Sequence, residues 1–188
     1  MIRDALIVLL MAAVALCGGL AINAFREVPL PWVYAPPAER IRAAAARLAK
    51  GELPQAASTK PRQIEIAEFR GVVGASASER SHGIKEGQAR WIILDARPEV
   101  FYQLGHVPGA LSLPREDFEA GYGRLRELLE KDPSRPIAVY CADMSCEDSE
   151  LVAGALTQLG FLHVAVFKGG WEAWSEAHLP QEKGVPRP

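Results

Sequence analysis

Short, mainly apolar runs, each stopped abruptly, govern what this chain can fold into. Residues 91–94 (Trp-Ile-Ile-Leu) end at Asp95, 110–113 (Ala-Leu-Ser-Leu) at Pro114, 137–140 (Ile-Ala-Val-Tyr) at Cys141, and 163–167 form a fourth run. Runs of this length read as buried strands. Helical spacing separates them. Leu125, Leu128 and Leu129 recur within 118–131, which Pro133 closes. Leu151, Val152, Ala155, Leu156 and Leu159 mark a helix over 149–159 that ends at Gly160. Residues 171–177 make a closing helix, and 63–73 read as a short strand followed by a helix. Strands apolar on both sides, alternating with helices, predict an α/β fold. Its parallel sheet is covered by helices on both faces.

Ahead of that pattern lies a different composition. Residues 5–24 read ALIVLLMAAVALCGGLAINA, with Asn23 the only clearly polar side chain. As a helix this run reaches about 30 Å, one bilayer core. It is apolar all round, unlike a core helix, and longer than the apolar run of a cleaved signal peptide. The expectation is an N-terminal transmembrane helix within residues 1–27. Cys17 is an apolar filler in it. Arg3 and the amino terminus flank one side, and Arg26, Arg40, Arg42 and Arg47 follow on the other. A short N-terminal tail kept inside puts the bulk of the chain outside the cytoplasm.

Residues 28–60 read as a linker. Pro29, Pro31, Pro36 and Pro37 favour an extended spacer. Trp32 and Tyr34 suit either a membrane interface or packing on the domain. Residues 38–50 are good helix formers ending at Gly51, and 54–61 are loop-like. The globular domain then spans 61–180, with a tail over 181–188. Residues 1–60 hold seven Lys/Arg against four Asp/Glu, and the remainder fourteen against nineteen. An acidic globular part is a poor nucleic-acid binder, since phosphate affinity needs clustered cations. Three cysteines do not build a disulfide scaffold. The four histidines show no ligand spacing, and Cys141 and Cys146 lack a second cysteine pair, so no metal site is expected.

The chemistry points to Cys141. It follows a strand directly and opens the segment Ala142, Asp143, Met144, Ser145, Cys146, Glu147, Asp148, Ser149. A thiol there faces a helix N-terminus, which favours the nucleophilic thiolate. A structural cysteine at a strand end fits the same position.

The surrounding residues decide between these. Asp95 and Arg97, then Tyr102, then Gly105-His106-Val107-Pro108-Gly109-Ala110, then Val139-Tyr140-Cys141, then Gly169-Gly170-Trp171 and Trp174 occur in this order. Together they resemble a rhodanese-like domain, the sulfurtransferase fold, from about residue 63 to 180. The resemblance implies that Cys141 carries a persulfide sulfur from a small sulfur-containing donor to a thiol acceptor or a protein thiol, with no cofactor. Asp95 and Arg97 then form a supporting ion pair, His106 is a hydrogen-bonded turn histidine, and Trp171 and Trp174 pack the core. The loop departs from the family. Seven residues separate Cys141 from Ser149, about two more than usual, and none is Arg, Lys or Gly. Asp143, Glu147, Asp148 and the nearby Glu150 disfavour a thiolate and anionic donors such as thiosulfate. Glu147 and Asp148 are expected to cap the following helix. Cys146 is a possible resolving thiol for a Cys141 persulfide or sulfenic acid. The loop also resembles that of membrane-anchored rhodanese-like proteins with a Cys-x4-Cys spacing. A thiol–disulfide redox protein and a non-catalytic binding module are the alternatives to sulfur transfer.

Overall fold

A computed structural model of the chain describes residues 2–25, 35–52, 61–82 and 91–185. Helix α1 (Ile2–Ala24) forms one unit with the residues up to Ala35, and residues from Pro36 onward form the second, compact unit. Within the latter the order is α2 (Pro37–Ala49), β1 (Arg62–Ile64), α3 (Ile66–His82), β2 (Ile92–Asp95), α4 (Glu99–Leu104), β3 (Leu111–Ser112), α5 (Phe118–Glu130), β4 (Ile137–Tyr140), α6 (Asp148–Leu159), β5 (Val164–Phe167) and α7 (Gly170–Glu176).

All five strands pair in parallel, in the order β1-β5-β4-β2-β3. Side chains alternate across the sheet. Ile92, Leu94, Ile137, Val139 and Val166 point to the face covered by α2, α5 and α6. Ile93, Ala138, Tyr140, Ala165 and Phe167 point to the face where Phe69, Val72 and Val73 of α3 and Trp174 of α7 pack. Both faces are therefore dry, which is why the strands read as unbroken apolar runs. Each fully buried Leu, Ile or Phe contributes about 1.5–3 kcal/mol from removal of surface from water.

The chain leaves β2 toward β3 on one side and β4 toward β5 on the other. Adjacent strands whose connections diverge leave a crevice beyond their carboxyl ends, the place where α/β sheets hold reactive groups. Cys141 directly follows β4 at this end.

Several expectations are corrected. The helix expected over 38–50 is α2, but it is no linker element. Ile41, Ala44 and Leu48 are buried in the core, and Arg40 donates to Gln158 O and Leu159 O at the end of α6. Its alanine-rich sequence hides this, because Ile41 and Leu48 are the only large side chains among the positions that carry the contact, with Ala44 and Ala45 beside them. The tail is partly ordered: Glu182 forms an antiparallel bridge with His106, and Gly184 N–H donates to Gln103 O. Helix α3 runs to His82 through a Gly/Ala/Ser segment with no apolar periodicity, and α4 is too short for periodicity to reveal. Among the described residues no helix is long and apolar enough to cross a membrane. The expected transmembrane helix is thus not met there; the side chains of residues 1–6 and 8, which open the apolar run, lie outside the described set. The prolines at 29 and 31, Trp32, Tyr34 and the loop over 54–60 also lie outside it.

Candidate active site

The loop between β4 and α6 is fixed first by α7. Trp171 N–H donates to Cys141 O and Glu172 N–H to Ala142 O, each at 2.8 Å. This approach depends on Gly170, whose φ of +61° is left-handed. A Cβ there would lie 2.8 Å from Ala142 C and O and Asp143 N. Beyond Ala142 the loop turns on Asp143. Its carboxylate accepts from Ser145 N–H at 2.7 Å and from Ser145 Oγ at 2.5 Å, and its carbonyl accepts from Cys146 N–H at 3.3 Å. The Ser145 hydrogen bonds hold the Asp143 carboxyl below its ordinary pKa.

This turn folds the loop back on itself, and Cys146 is joined to Cys141 by a disulfide with a Cα–Cα distance of 6.2 Å. Cys141 is 2% exposed. Cys146 is half-buried, while Met144, Ser145 and Glu147 are exposed. Ser149 is buried in the first turn of α6.

Glu147 occupies the N-cap of α6 and makes no side-chain cap bond, contrary to the capping expected of it. Asp148 does not serve as a cap either. Its carboxylate pairs with Arg115 at 2.9 Å, and Arg115 Nε donates to Leu48 O at the end of α2. Arg115 was missed because it is remote from the loop in sequence. The signal was its position, three residues past β3 at the same sheet end as Cys141. It supplies the positive charge that the loop itself lacks. Lys168, just after β5, pairs with Glu150 at 3.1 Å. One donor atom each from Cys141, Cys146 and Asp148 lie within 4.8 Å of one another. With the sulfurs bonded together neither is a thiolate ligand for a metal.

The supporting residues form one buried cluster behind the loop. Arg97 pairs with Asp95 at 2.7 Å and donates to Gly105 O at 2.7 Å. Tyr140 OH donates to Asp95 Oδ2 at 2.6 Å and accepts from Val107 N–H. Burial opposes the Arg97 charge, but Asp95 outweighs it and raises the pKa. Burial, with the Asp95 charge, pushes the Tyr140 hydroxyl well above its ordinary value. His106 is 3% exposed, stacks on Tyr102 at 3.7 Å, and donates from Nδ1 to Tyr102 O. It is hydrogen-bonded as expected, but in the bridge to Glu182, just ahead of the turn at residues 108–109. Trp174 packs the core as expected. Trp171, partly buried, packs against the same core, and its ring also lies 4.6 Å from the Arg97 guanidinium, tying the ion pair to the loop.

The chain is similar to several known proteins. The family described as the rhodanese-like domain matches residues 76–177. An adenylyltransferase and sulfurtransferase of Saccharomyces cerevisiae is 29% identical over 127 residues, 65% of this chain but 28% of the yeast protein. A thiosulfate sulfurtransferase of Pseudoalteromonas translucida is 32% identical over 88 residues, 46% of this chain and 75% of that protein. The solved rhodanese-like domain of an Anabaena protein is 29% identical, with a TM-score of 0.46 over 66% of this chain and 80% of that one. The chain thus spans under a third of its yeast relative.

Proposed function

The chain belongs to the rhodanese-like domain family, and on that premise we propose that it is a sulfurtransferase carrying sulfane sulfur as a persulfide on Cys141. The observation that carries this reading is the placement of Cys141: at the carboxyl end of β4, beside the strand divergence, with its loop held by α7. In the reduced state the Cys141 thiolate attacks the outer sulfur of a donor. The S–S bond of the donor breaks, and its remainder leaves as an anion. The persulfide then passes its outer sulfur to an acceptor thiol. The carboxylates around the loop repel doubly charged donors such as thiosulfate, so a neutral or singly charged organic persulfide suits it better.

The test is intact mass spectrometry of the fully reduced protein after exposure to polysulfide, with alkylation to trap the product. A gain of one sulfur atom, on the parent or on Cys146→Ser, that Cys141→Ser abolishes supports sulfur transfer. Equal uptake by Cys141→Ser refutes it.

The Cys141–Cys146 disulfide favours a second reading, a thiol–disulfide redox protein. A reversible disulfide with a potential in the range of known redox proteins, and no sulfur uptake even by Cys146→Ser, would select it.

The apolar run over residues 5–24 supports a further proposal: attachment to a membrane, with the domain on the extracytoplasmic side. Persistence of the full chain in the membrane pellet after alkaline carbonate washing supports attachment, and release refutes it.

A further inference from the structure

We propose that Cys146 is the internal acceptor of the Cys141 persulfide, so that the protein releases the transferred sulfur as hydrosulfide. The inference rests on the sulfur-transfer reading above. It begins from the disulfide itself: the loop brings the Cys146 sulfur to bonding distance of Cys141 while the backbone bonds from α7 to Cys141 and Ala142 are made. The turn built by Asp143 and Ser145 holds it there.

The step balances within the protein. The Cys146 thiol gives up its proton, and its sulfur attacks the Cys141 Sγ. The bond between Sγ and the outer sulfur breaks, and the outer sulfur leaves with the electron pair and takes a proton as hydrosulfide. Sulfane sulfur is reduced, and the two cysteines are oxidised from dithiol to disulfide. A dithiol reductant then restores both thiols by exchange and becomes the oxidised partner. The Asp148 carboxylate, held by Arg115, lies within 4.8 Å of both sulfurs and is placed to receive the Cys146 proton.

Competition favours this route. A linked thiol acts at an effective concentration of about millimolar when flexible and far higher when positioned. In the disulfide-bonded structure Cys141 is 2% exposed and Cys146 is already against it. The acceptor chemistry assigned to this site is therefore a dithiol that reduces the loop, rather than a monothiol that removes the persulfide.

The experiment uses the full-length reduced chain in detergent, freed of reductant and mixed with stoichiometric polysulfide. Released hydrosulfide is quantified against a protein-free polysulfide blank, and the protein is weighed intact and mapped for disulfides. The expected result is one hydrosulfide per chain with a new Cys141–Cys146 bond. Cys146→Ser and Cys146→Ala, checked for folding by circular dichroism, should keep the added sulfur on Cys141 and release less than a tenth as much hydrosulfide. If the parent keeps its persulfide as long as these variants do, with no disulfide, the inference is overturned and sulfur transfer stands. If neither the parent nor the Cys146 variants take up sulfur, sulfur transfer itself is refuted and this inference falls with it.

Discussion

Replacing Gly170 by alanine tests whether contact between α7 and the loop shapes the site. Two separate effects act there. The first is conformational: a φ of +61° costs an L-residue about 1–2 kcal/mol. The second is steric: the new Cβ would meet backbone atoms of Ala142 and Asp143 at 2.8 Å, with no flexible side-chain end to yield. Overpacking of this kind costs about 1–3 kcal/mol more. Gly160 provides the control. Its φ is +106°, yet nothing lies within 4 Å of a Cβ built there. Gly160→Ala therefore carries the conformational cost alone. Gly170→Ala should be the less stable variant by about 1–3 kcal/mol, read from urea unfolding of both proteins. At about 2–4 °C per kcal/mol for a domain of this size, the two melting temperatures should differ by about 2–12 °C. The displaced loop should also slow reformation of the Cys141–Cys146 bond after reduction. Equal stability of the two variants would refute the claim that close backbone approach, and not φ alone, selects glycine at 170.

Leu48→Ala, at a position 1% exposed on α2, should destabilise the domain by about 2–4 kcal/mol, measured by denaturant unfolding. A linker helix would lose almost nothing. Arg115→Met removes the partner of Asp148 and should slow alkylation of reduced Cys141 at fixed pH by roughly threefold to tenfold; an unchanged rate would show that Arg115 does not set the field at the thiol. The raised Tyr140 pKa makes a pH prediction. The folded protein holds the phenol proton more tightly than the unfolded chain does. This contribution is complete below the unfolded pKa of about 10 and is lost above it, at about 1.4 kcal/mol per pH unit. Tyr140→Phe should be less stable near neutrality, having lost its bond to Asp95, yet show a shallower decline between pH 10 and 11 in equilibrium unfolding (pH values approximate). An identical slope would refute the assignment.

The sheet was legible because β2, β4 and β5 are buried on both faces and cannot disguise their composition. The position of Cys141 was legible for a related reason, since the end of an apolar run marks a strand end without any need of side-chain detail. What escaped was contact between remote segments. Arg115 neutralises Asp148 from thirty-three residues away, so an acidic loop read in isolation looked more hostile to a thiolate than its surroundings make it. The packing of α2 was hidden in the same manner: Ile41, Ala44 and Leu48 gain meaning only once α5 and α6 lie beside them. Glu147 and Asp148 sat where capping residues belong, but the pull of Arg115 on one and the exposure of the other outweighed local preference. The role of Glu182 against His106 and Gly109 had no sequence signal, because a tail residue acquires its partners only from the fold.

The two backbone bonds from α7 to Cys141 and Ala142 divide the active loop into a clamped half and a hanging half. Cys141 sits in the clamp and Cys146 beyond it, so the two sulfurs are mechanically unequal: one is held by the sheet and α7, the other only by the Asp143 and Ser145 turn within the loop. Residues added between Cys146 and Glu147 would lengthen the loop without touching the clamp or the turn, whereas residues added before Asp143 would break the clamp. The loop therefore has one segment in which its length can be tuned, and that tuning sets how long a sulfur waits on Cys141 before Cys146 attacks.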